Sequence, residues 1–236
     1  MTSDLPHPRV SCILPCFNGA DYLAEALESL AGQTLKPYEI IVVDDGSTDN
    51  SCDIAKGLGI DGLKVIHQEN QGATKARLTG LRVAQGEFLS FLDADDLAPV
   101  DRLERLVGVL LDKPNVEAAF GWWENFWIDG LAHEAALAAS EGRAGIQRSI
   151  FLPSAVLRRT AFSRFGTFVE HDSPEEARSD KELVRWVVRA KLAGMVCHTL
   201  PQITLRRRIH RNNMSRTQDA DVLFQLFKDI RGMMNR

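Results

Sequence analysis

The sequence has 236 residues, of which 44% are hydrophobic and 25% are charged, as in an ordinary water-soluble domain. This length suffices for one large α/β domain or for two small lobes that share a core. The formal net charge of -4 argues against a nucleic-acid partner, because proteins that bind a phosphate backbone usually present a basic face.

The first half of the chain alternates segments typical of strands with segments typical of helices. Strands are predicted at residues 10–14, 39–43, 63–67 and 87–92. Helices are predicted at residues 19–31, 51–58, 74–84 and 99–111. Pro15 is expected to end the first strand. Such an alternation is typical of a parallel sheet covered by helices.

The second half is less regular. Residues 117–128 are predicted to form one or two strands, and a mobile loop is preferred to a helix at residues 131–145. Further helices are predicted at residues 159–165, 179–193 and 217–233, and an extended segment interrupted by Pro201 at residues 195–205. The last helix is amphipathic, so packing on the core, homodimer formation and peripheral membrane contact all remain open for it.

The cysteines and the N-terminus bear on the cellular compartment. Cys12, Cys16, Cys52 and Cys197 form no CxxC pair, which predicts reduced thiols rather than disulfides or a zinc site. Residues 1–9 lack the apolar core of a signal peptide, and no window approaches the ~20 apolar residues of a membrane span. We therefore expect a cytoplasmic protein, with peripheral attachment at the inner face of the membrane as an open alternative.

Polar residues follow three of the predicted parallel strands. Pro15, Cys16, Phe17 and Asn18 come after the first strand, Asp44-Asp45-Gly46-Ser47 after the second, and Asp93-Ala94-Asp95-Asp96 after the fourth. In an open α/β sheet, ligands bind at the carboxyl ends of the strands. These segments are therefore expected to converge on one acidic pocket.

A divalent cation would relieve the repulsion among these carboxylates. Mg²⁺ or Mn²⁺ typically takes one or two carboxylates and completes its shell with water and phosphate oxygens. Asp93 and Asp95 are expected to alternate along an extended segment, so that one holds the cation and the other a ribose hydroxyl or a water. The alternative is that Asp95 or Asp96 merely caps the helix predicted near Pro99. P-loop and GxGxxG motifs are absent, which argues against a dinucleotide-dependent oxidoreductase.

Four segments of the first half follow one another along the chain: SCILPCFNGADYLAEALESLAGQT, EIIVVDDGSTDNS, NQGATKARLTGLRVAQGEFLSFLDADD and APVDRLERLV. Together they resemble the nucleotide-sugar-binding half of the family 2 inverting glycosyltransferases. The resemblance implies the α/β GT-A fold, a single Rossmann-like domain with a mostly parallel central sheet flanked by helices and a smaller acceptor-side lobe. It divides the chain into a nucleotide-sugar-binding half at residues 1–112, an acceptor-binding and catalytic-base half at 113–215, and a C-terminal helix at 216–236.

The resemblance also implies roles for the matching positions. The donor would be a nucleotide-sugar, usually linked to UDP, and the cofactor Mn²⁺ or Mg²⁺. Pro15 and Phe17 would line the nucleobase pocket, with core packing as the alternative for Phe17, and Asp45 would contact the base. Arg77, or Lys75 in its place, would approach the base or the phosphates. The full set of donor-binding candidates is Pro15, Phe17, Asn18, Asp45, Arg77, Asp93, Ala94 and Asp95.

An inverting transfer needs a general base that deprotonates the acceptor hydroxyl. In the family this base is a carboxylate at the start of a helix in the acceptor half, and here the corresponding segment is SDKELVRWVVRAKLAG. Asp180 and Glu182 are the two candidates, and Leu183 stands where the family would have a second acid. A catalytically silent nucleotide-sugar-binding module therefore remains the alternative. The acceptor would be a glycan, a lipid-linked glycan or a small molecule.

The segment RRRIHRNNMS resembles the family's Arg-x-His motif. His210 would be a metal ligand together with Asp95, or would contact the diphosphate. The arginines at 206–208 and 211 would neutralise the departing diphosphate, with a solvated strand face as the alternative. One of Trp122, Trp123 and Trp127 is predicted to reach the cleft as an acceptor platform, while core packing is preferred for the other two.

Overall fold

The computed structural model describes residues 7–128, 130–140, 144–168, 181–211 and 213. Its strands are β1 (Val10–Cys16), β2 (Glu39–Asp45), β3 (Leu63–Gln68), β4 (Phe88–Phe91), β5 (Ala118–Trp127), β6 (Gly145–Gln147), β7 (Ala155–Arg158) and β8 (Cys197–Ile209). Its helices, numbered in chain order, are α1 (Leu23–Ala31), α2 (Ser51–Gly57), α3 (Ala73–Val83), α4 (Arg102–Asp112), α5 (Ala132–Ser140), α6 (Arg159–Phe165) and α7 (Lys181–Leu192).

The strands form one sheet in the order β3-β2-β1-β4-β7-β5-β6, with β8 paired to β5. The pairs of β1 with β2, β1 with β4, β2 with β3 and β5 with β8 are parallel. β7 is antiparallel to both β4 and β5, and through it the second half continues the sheet of the first. The carboxyl ends of β1, β2 and β4 consequently open at the same edge of the sheet.

The core lies on both faces of this sheet. Successive residues of a strand point to opposite faces, so Cys12 and Leu14 of β1 pack with α1 and α4, whereas Ile13 packs with α3. β1, β2 and β4 are buried along their whole length, as expected for parallel strands covered on both sides. Helices on both sides thus fix the direction in which the strand ends point.

Pro15 does not end the first strand, contrary to the sequence prediction. β1 continues to Cys16, and Pro15 pairs with Val43 of β2. Ile13, two residues earlier, directs its carbonyl toward the β4 side, where it accepts the Leu92 N–H. Residues of the same parity share this direction, so the hydrogen that Pro15 lacks would point to a position beyond the end of β4. The proline therefore removes no sheet hydrogen bond.

Two predictions for the second half are wrong. Residues 131–145 were expected to form a loop, but α5 covers most of them, because their alanines favour a helix even where little is buried. Pro201 was expected to interrupt the extended segment, but β8 runs through it. The register with β5 jumps between Gly121 and Trp122, so that Leu200 and Ile203 become their successive partners and Pro201 lies in the irregularity.

The predicted C-terminal helix at residues 217–233 lies outside the described residues, and the three-part division of the chain stays a prediction. Among the helices that the structure does describe, none combines the length and the apolar character that crossing a membrane would require.

Candidate functional site

A cleft of about 460 Å³ opens at the carboxyl ends of β1, β2 and β4, where the sequence predicted a ligand site. Such a volume is typical of small-molecule sites. All eight predicted donor-binding residues line it, and so does His210. The lining residues are Pro15, Cys16, Phe17, Asn18, Gly19, Asp21, Tyr22, Asp45, Asn70, Gly72, Ala73, Arg77, Asp93, Ala94, Asp95, Asp96, Arg207, His210 and Asn213.

The loop after β1 is held in place by the loop after β2. Asn18 has a left-handed backbone (φ 50°), its N–H donates to Ser47 Oγ at 2.9 Å, and its Oδ1 accepts the Thr48 N–H at 2.7 Å. Asp49 adds a third link by accepting the Ala20 N–H. These bonds use the Asn18 side chain for shaping the cleft and leave the neighbouring Phe17 ring 51% exposed in it. Core packing, the alternative role for Phe17, is therefore not what the ring does.

Asp45 is buried at the end of β2 and is largely occupied by protein donors. Its Oδ1 accepts hydrogen bonds from Gln68 Nε2 at 2.7 Å and from the Gln71 N–H at 2.9 Å. Its Oδ2 accepts the Gly72 N–H at 2.8 Å, and Gly72 has φ 92°, a conformation that favours glycine. The carboxylate thus has a fixed orientation and keeps room on Oδ2 for one more donor.

Arg77 lies under the cleft and contacts an acid rather than open solvent. Its guanidinium is 1% exposed, and Nη2 donates to Asp93 Oδ1 at 2.5 Å. An ion pair of this kind fixes the Asp93 carboxylate at the end of β4. The structure therefore places Arg77 at the predicted cleft, in contact with an acid of the DAD segment.

The DAD segment is a turn, contrary to the predicted extended conformation. The Asp96 N–H donates to the Asp93 carbonyl at 3.1 Å, which closes a turn over residues 93–96. Asp95 Oδ2 lies 2.9 Å from His210 Nε2 and accepts a hydrogen bond from Asn213 Nδ2 at 3.0 Å. Two of the predicted functional groups, the Asp95 carboxylate and the His210 imidazole, are thus in direct contact.

Asp96 and Arg208 attach this turn to β8. Asp96 is buried and accepts the Arg208 N–H at 2.9 Å, while Arg208 Nε donates to the Asp95 carbonyl at 2.9 Å. Burial, followed by the charges of Asp95 and Asp93, raises the pKa of Asp96 well above its usual range. Neither Asp95 nor Asp96 caps α4, which begins at Arg102, so the capping alternative is wrong.

The predicted run of arginines has three different environments. Arg207 lines the cleft. Arg208 is buried against the rings of Tyr22 and Phe126, with its guanidinium carbon 4.8 and 4.9 Å from their centroids. Arg206 is exposed and pairs with Glu124 at 2.8 Å. Only Arg207 of the three can therefore reach a ligand in the cleft directly.

The tryptophans of β5 do not line the cleft. Trp123 contacts Phe151 in a tilted arrangement, with ring centroids 5.1 Å apart, and packs on the core. Trp122 lies under the Arg148 guanidinium at 4.7 Å, and Trp127 is half-buried at the end of the strand. The expectation that one of them reaches the cleft is not met.

The residues at the cleft fit a cation that is shared with a ligand. Within the described ranges, which omit 129, 141–143, 169–180, 212 and 214–236, no group of three or more His, Cys, Asp or Glu side chains forms a complete metal cage. Asp95 and His210 nevertheless supply one carboxylate and one imidazole side by side, and phosphate oxygens and water would have to complete the shell.

Comparison with known proteins identifies the family of this chain. The family described as Glycosyl transferase family 2 matches residues 11–151, more than half of the chain. The chain belongs to this family. Over 120 residues it is 36% identical to the glycosyltransferase GlyG of Streptococcus pneumoniae serotype 4, covering 50% of this chain and 40% of GlyG. Over 111 residues it is 41% identical to EpsH of Bacillus subtilis, covering 46% of this chain and 32% of EpsH.

The family 2 chain also resembles solved structures. The S. aureus TarS 1–349 complex with UDP-GlcNAc matches with a TM-score of 0.70 and 21% identity over 94% of this chain and 65% of that one. Mannosyltransferase PcManGT from Pyrobaculum calidifontis, in complex with GDP-Man and Mn²⁺, matches with a TM-score of 0.64 and 24% identity over 88% of this chain and 59% of that one. At these identities the likeness concerns the fold, and it confirms the predicted α/β GT-A architecture. The chain spans less than two thirds of each of these relatives.

The two candidates for the base of this family 2 chain differ in what the structure describes. Asp180 lies outside the described residues. Glu182, in the first turn of α7, is 1% exposed, and its Oε1 accepts a hydrogen bond from Arg189 Nη2 at 2.7 Å. Glu182 is not among the cleft-lining residues. The assignment of a base to either acid stays a prediction.

Sequence reasoning missed four residues that line the cleft with polar side chains, Asp21, Tyr22, Asn70 and Asn213. Tyr22 falls within the helix predicted at residues 19–31, but α1 begins one residue later and the ring faces His210, with centroids 4.7 Å apart. Asn213 lies within the segment that carries the Arg-x-His resemblance, and its position three residues after His210 was the available signal.

The cysteines are all free, as predicted. Cys16 lines the cleft, but its thiol is buried, and this burial raises its pKa to about 11. A thiol of that pKa is almost wholly protonated near neutral pH and is a poor nucleophile. Cys16 therefore has a packing role at the cleft. Its Sγ lies so close to Gly19 that a Cβ added there would be only 3.0 Å from the sulfur.

Proposed function

We propose that this chain is a metal-dependent inverting glycosyltransferase that moves a sugar from a UDP-sugar to an acceptor hydroxyl in glycan or polysaccharide biosynthesis. The observation that carries the proposal is the convergence of Phe17, Asp45, the Asp93–Asp95 turn and His210 on one cleft at the strand ends. The Phe17 ring and the oriented Asp45 carboxylate suit the nucleobase of a nucleotide. The acids of the turn, together with the His210 imidazole, suit a diphosphate and its cation. Family membership supports the reaction class.

The donor is proposed as a nucleotide-sugar with uracil as its base. Asp45 keeps acceptor room on Oδ2 only, which suits the single N–H of a uracil edge better than two adjacent donors. The complexes of TarS with UDP and UDP-GlcNAc are consistent with this class of ligand, whereas PcManGT was solved with GDP-Man. The identity of the sugar stays open.

Mn²⁺ or Mg²⁺ is the proposed cofactor, with Asp95 and His210 as the protein ligands. When bound, the cation would supply positive charge that stabilises the departing diphosphate. Arg77 keeps Asp93 fixed at the ribose end, and Arg207 adds a second positive charge to the cleft. Asp180 or Glu182 is the proposed base that takes the proton of the acceptor hydroxyl, and the acceptor is a glycan, a lipid-linked glycan or a small molecule.

A catalytically silent nucleotide-sugar-binding module is the second candidate. One observation favours it: Glu182 is buried in an ion pair with Arg189 and does not line the cleft. If Asp180 is not the base either, the chain would bind a donor and transfer nothing.

Release of nucleoside diphosphate from UDP-GlcNAc, UDP-glucose and GDP-mannose, with Mn²⁺ and a panel of acceptors, tests the proposal. We expect turnover with a UDP-sugar, its abolition by Asp95→Ala, and a loss of about 10²-fold or more in whichever of Asp180→Asn and Glu182→Gln removes the base. Glu104→Gln, an acid-to-amide change on α4 outside the cleft, should retain full turnover. Full activity in Asp95→Ala would refute the site, and donor binding without turnover would establish the silent module.

A further inference from the structure

Asn213 is a buried asparagine whose side chain joins three parts of the cleft wall. Its Nδ2 donates to Asp95 Oδ2 at 3.0 Å and to the Arg208 carbonyl at 3.1 Å, and its Oδ1 accepts the His210 N–H at 2.5 Å. Both amide hydrogens and one carbonyl lone pair are thereby used. Asn213 is 6% exposed, so these bonds are shielded from competing water.

The two groups that Asn213 connects are the proposed cation ligands. His210 Nε2 lies 2.9 Å from Asp95 Oδ2, and the imidazole packs against the Tyr22 ring. A nitrogen that shares a hydrogen with Asp95 cannot at the same time donate its lone pair to a cation. The direct contact between Asp95 and His210 therefore holds the pair only while Nε2 is not a ligand.

The contacts of Asn213 do not depend on whether His210 Nε2 bonds to Asp95 or to a cation. Its bond to Asp95 reaches Oδ2 and leaves Oδ1 available, and its bond to His210 engages the backbone N–H rather than the ring. The bond to the Arg208 carbonyl fixes the amide to the end of β8. Asn213 can thus keep both groups in place whether or not Nε2 contacts Asp95.

We propose that Asn213 is a positioning residue that holds the Asp95 carboxylate and the His210 imidazole together as a preformed pair for a divalent cation bound with a nucleoside diphosphate. This inference rests on the proposed function, since it concerns the same cleft. A partner that orients metal ligands typically changes metal affinity by 10–100-fold when it is removed, because the ligands must then be ordered at the expense of binding. Alanine makes none of the three bonds, and serine is too short to make them together.

The test measures binding rather than turnover. UDP is titrated calorimetrically into the wild-type protein, Asn213→Ala, Asn213→Ser and Glu124→Gln, each in Mn²⁺ and in EDTA, and Mn²⁺ is titrated at saturating UDP. Glu124→Gln is the control, because it changes a carboxylate on neighbouring β5 that does not line the cleft. Thermal unfolding of each variant reports whether it is folded.

We expect the Mn²⁺ titration midpoint of both Asn213 variants to rise on the order of 10-fold, with UDP binding in EDTA unchanged within about twofold. A general loss of structure would instead weaken both conditions equally. The proposal is overturned if the folded variants reproduce the wild-type Mn²⁺ titration, or if neither variant folds, which would make Asn213 a residue of the fold alone. Failure of the proposed function is distinguishable, because wild-type protein would then show no Mn²⁺-dependent binding of UDP.

Discussion

Replacing Arg208 by alanine tests whether β8 supports the acidic turn of the cleft. Arg208 Nε donates to the Asp95 carbonyl, a charge-assisted bond worth about 1.5–3 kcal/mol when it is shielded from solvent. The rings of Tyr22 and Phe126 each add about 0.5–1 kcal/mol. The ion pair with Glu25 adds little, because the Glu25 side chain is 58% exposed.

We therefore expect Arg208→Ala to lower the free energy of unfolding by about 3 kcal/mol. Arg206→Ala is the matched control, because it removes the same side chain two residues earlier on the same strand, where the arginine is exposed, pairs with Glu124 and lies 5.0 Å from the Phe126 ring centroid. It lacks the bond to the Asp95 carbonyl and the Tyr22 ring, so its expected cost is about 1 kcal/mol. Denaturant unfolding followed by tryptophan fluorescence, with equal slopes in all three proteins, measures both values. Equal losses in the two variants would refute the idea that Arg208 anchors the turn.

Two further predictions concern a pair of glycines and the buried Glu39 of β2. Gly108→Ala should stabilise the protein by about 0.5–1 kcal/mol, because Gly108 is inside α4 with open space around it. Gly86→Ala should cost about 2 kcal/mol or more, because a Cβ there would lie 2.6 Å from the Ser11 nitrogen. Thermal unfolding of the two variants checks both signs, and a stabilised Gly86→Ala would contradict the packing. Burial raises the pKa of Glu39, but hydrogen bonds from Lys64, Ser11 and a backbone amide outweigh it, so the net pKa is lowered. The unfolded chain then binds the proton first, and stability should fall as the pH drops below about 4.5. Glu39→Gln should flatten this dependence below about pH 4.5, and an unchanged pH profile would contradict it.

The first half of the fold was predictable because its signals are local and repeated. The buried runs of β1, β2 and β4 are nearly continuous in apolar residues, and each ends in polar residues at a common edge. Parallel pairing alone then brings Asp45 and Asp93 to one cleft. All eight donor-site candidates line that cleft for this reason.

The misses arise where tertiary context outweighs the local signal. β1 continues through Pro15 because β4, the neighbouring strand on the side where Pro15 lacks an N–H, has already ended, and no local pattern reveals this. Pro201 remains in β8 because a register shift opposite Gly121 accommodates it. In the Asp93–Asp95 turn, Arg77 contacts the Asp93 carboxylate and His210, just after β8, contacts the Asp95 carboxylate, and these contacts span many residues of sequence.

Calorimetric titration of UDP into the purified protein, with Mn²⁺ and then with EDTA, measures whether the strand-end cleft binds a nucleoside diphosphate through a cation. We predict micromolar binding in Mn²⁺ that weakens on chelation and that falls in Asp95→Ala to the level measured in EDTA, while Glu104→Gln behaves as wild type. Absence of binding in both conditions would contradict the claim that the strand-end cleft is a nucleoside-diphosphate site.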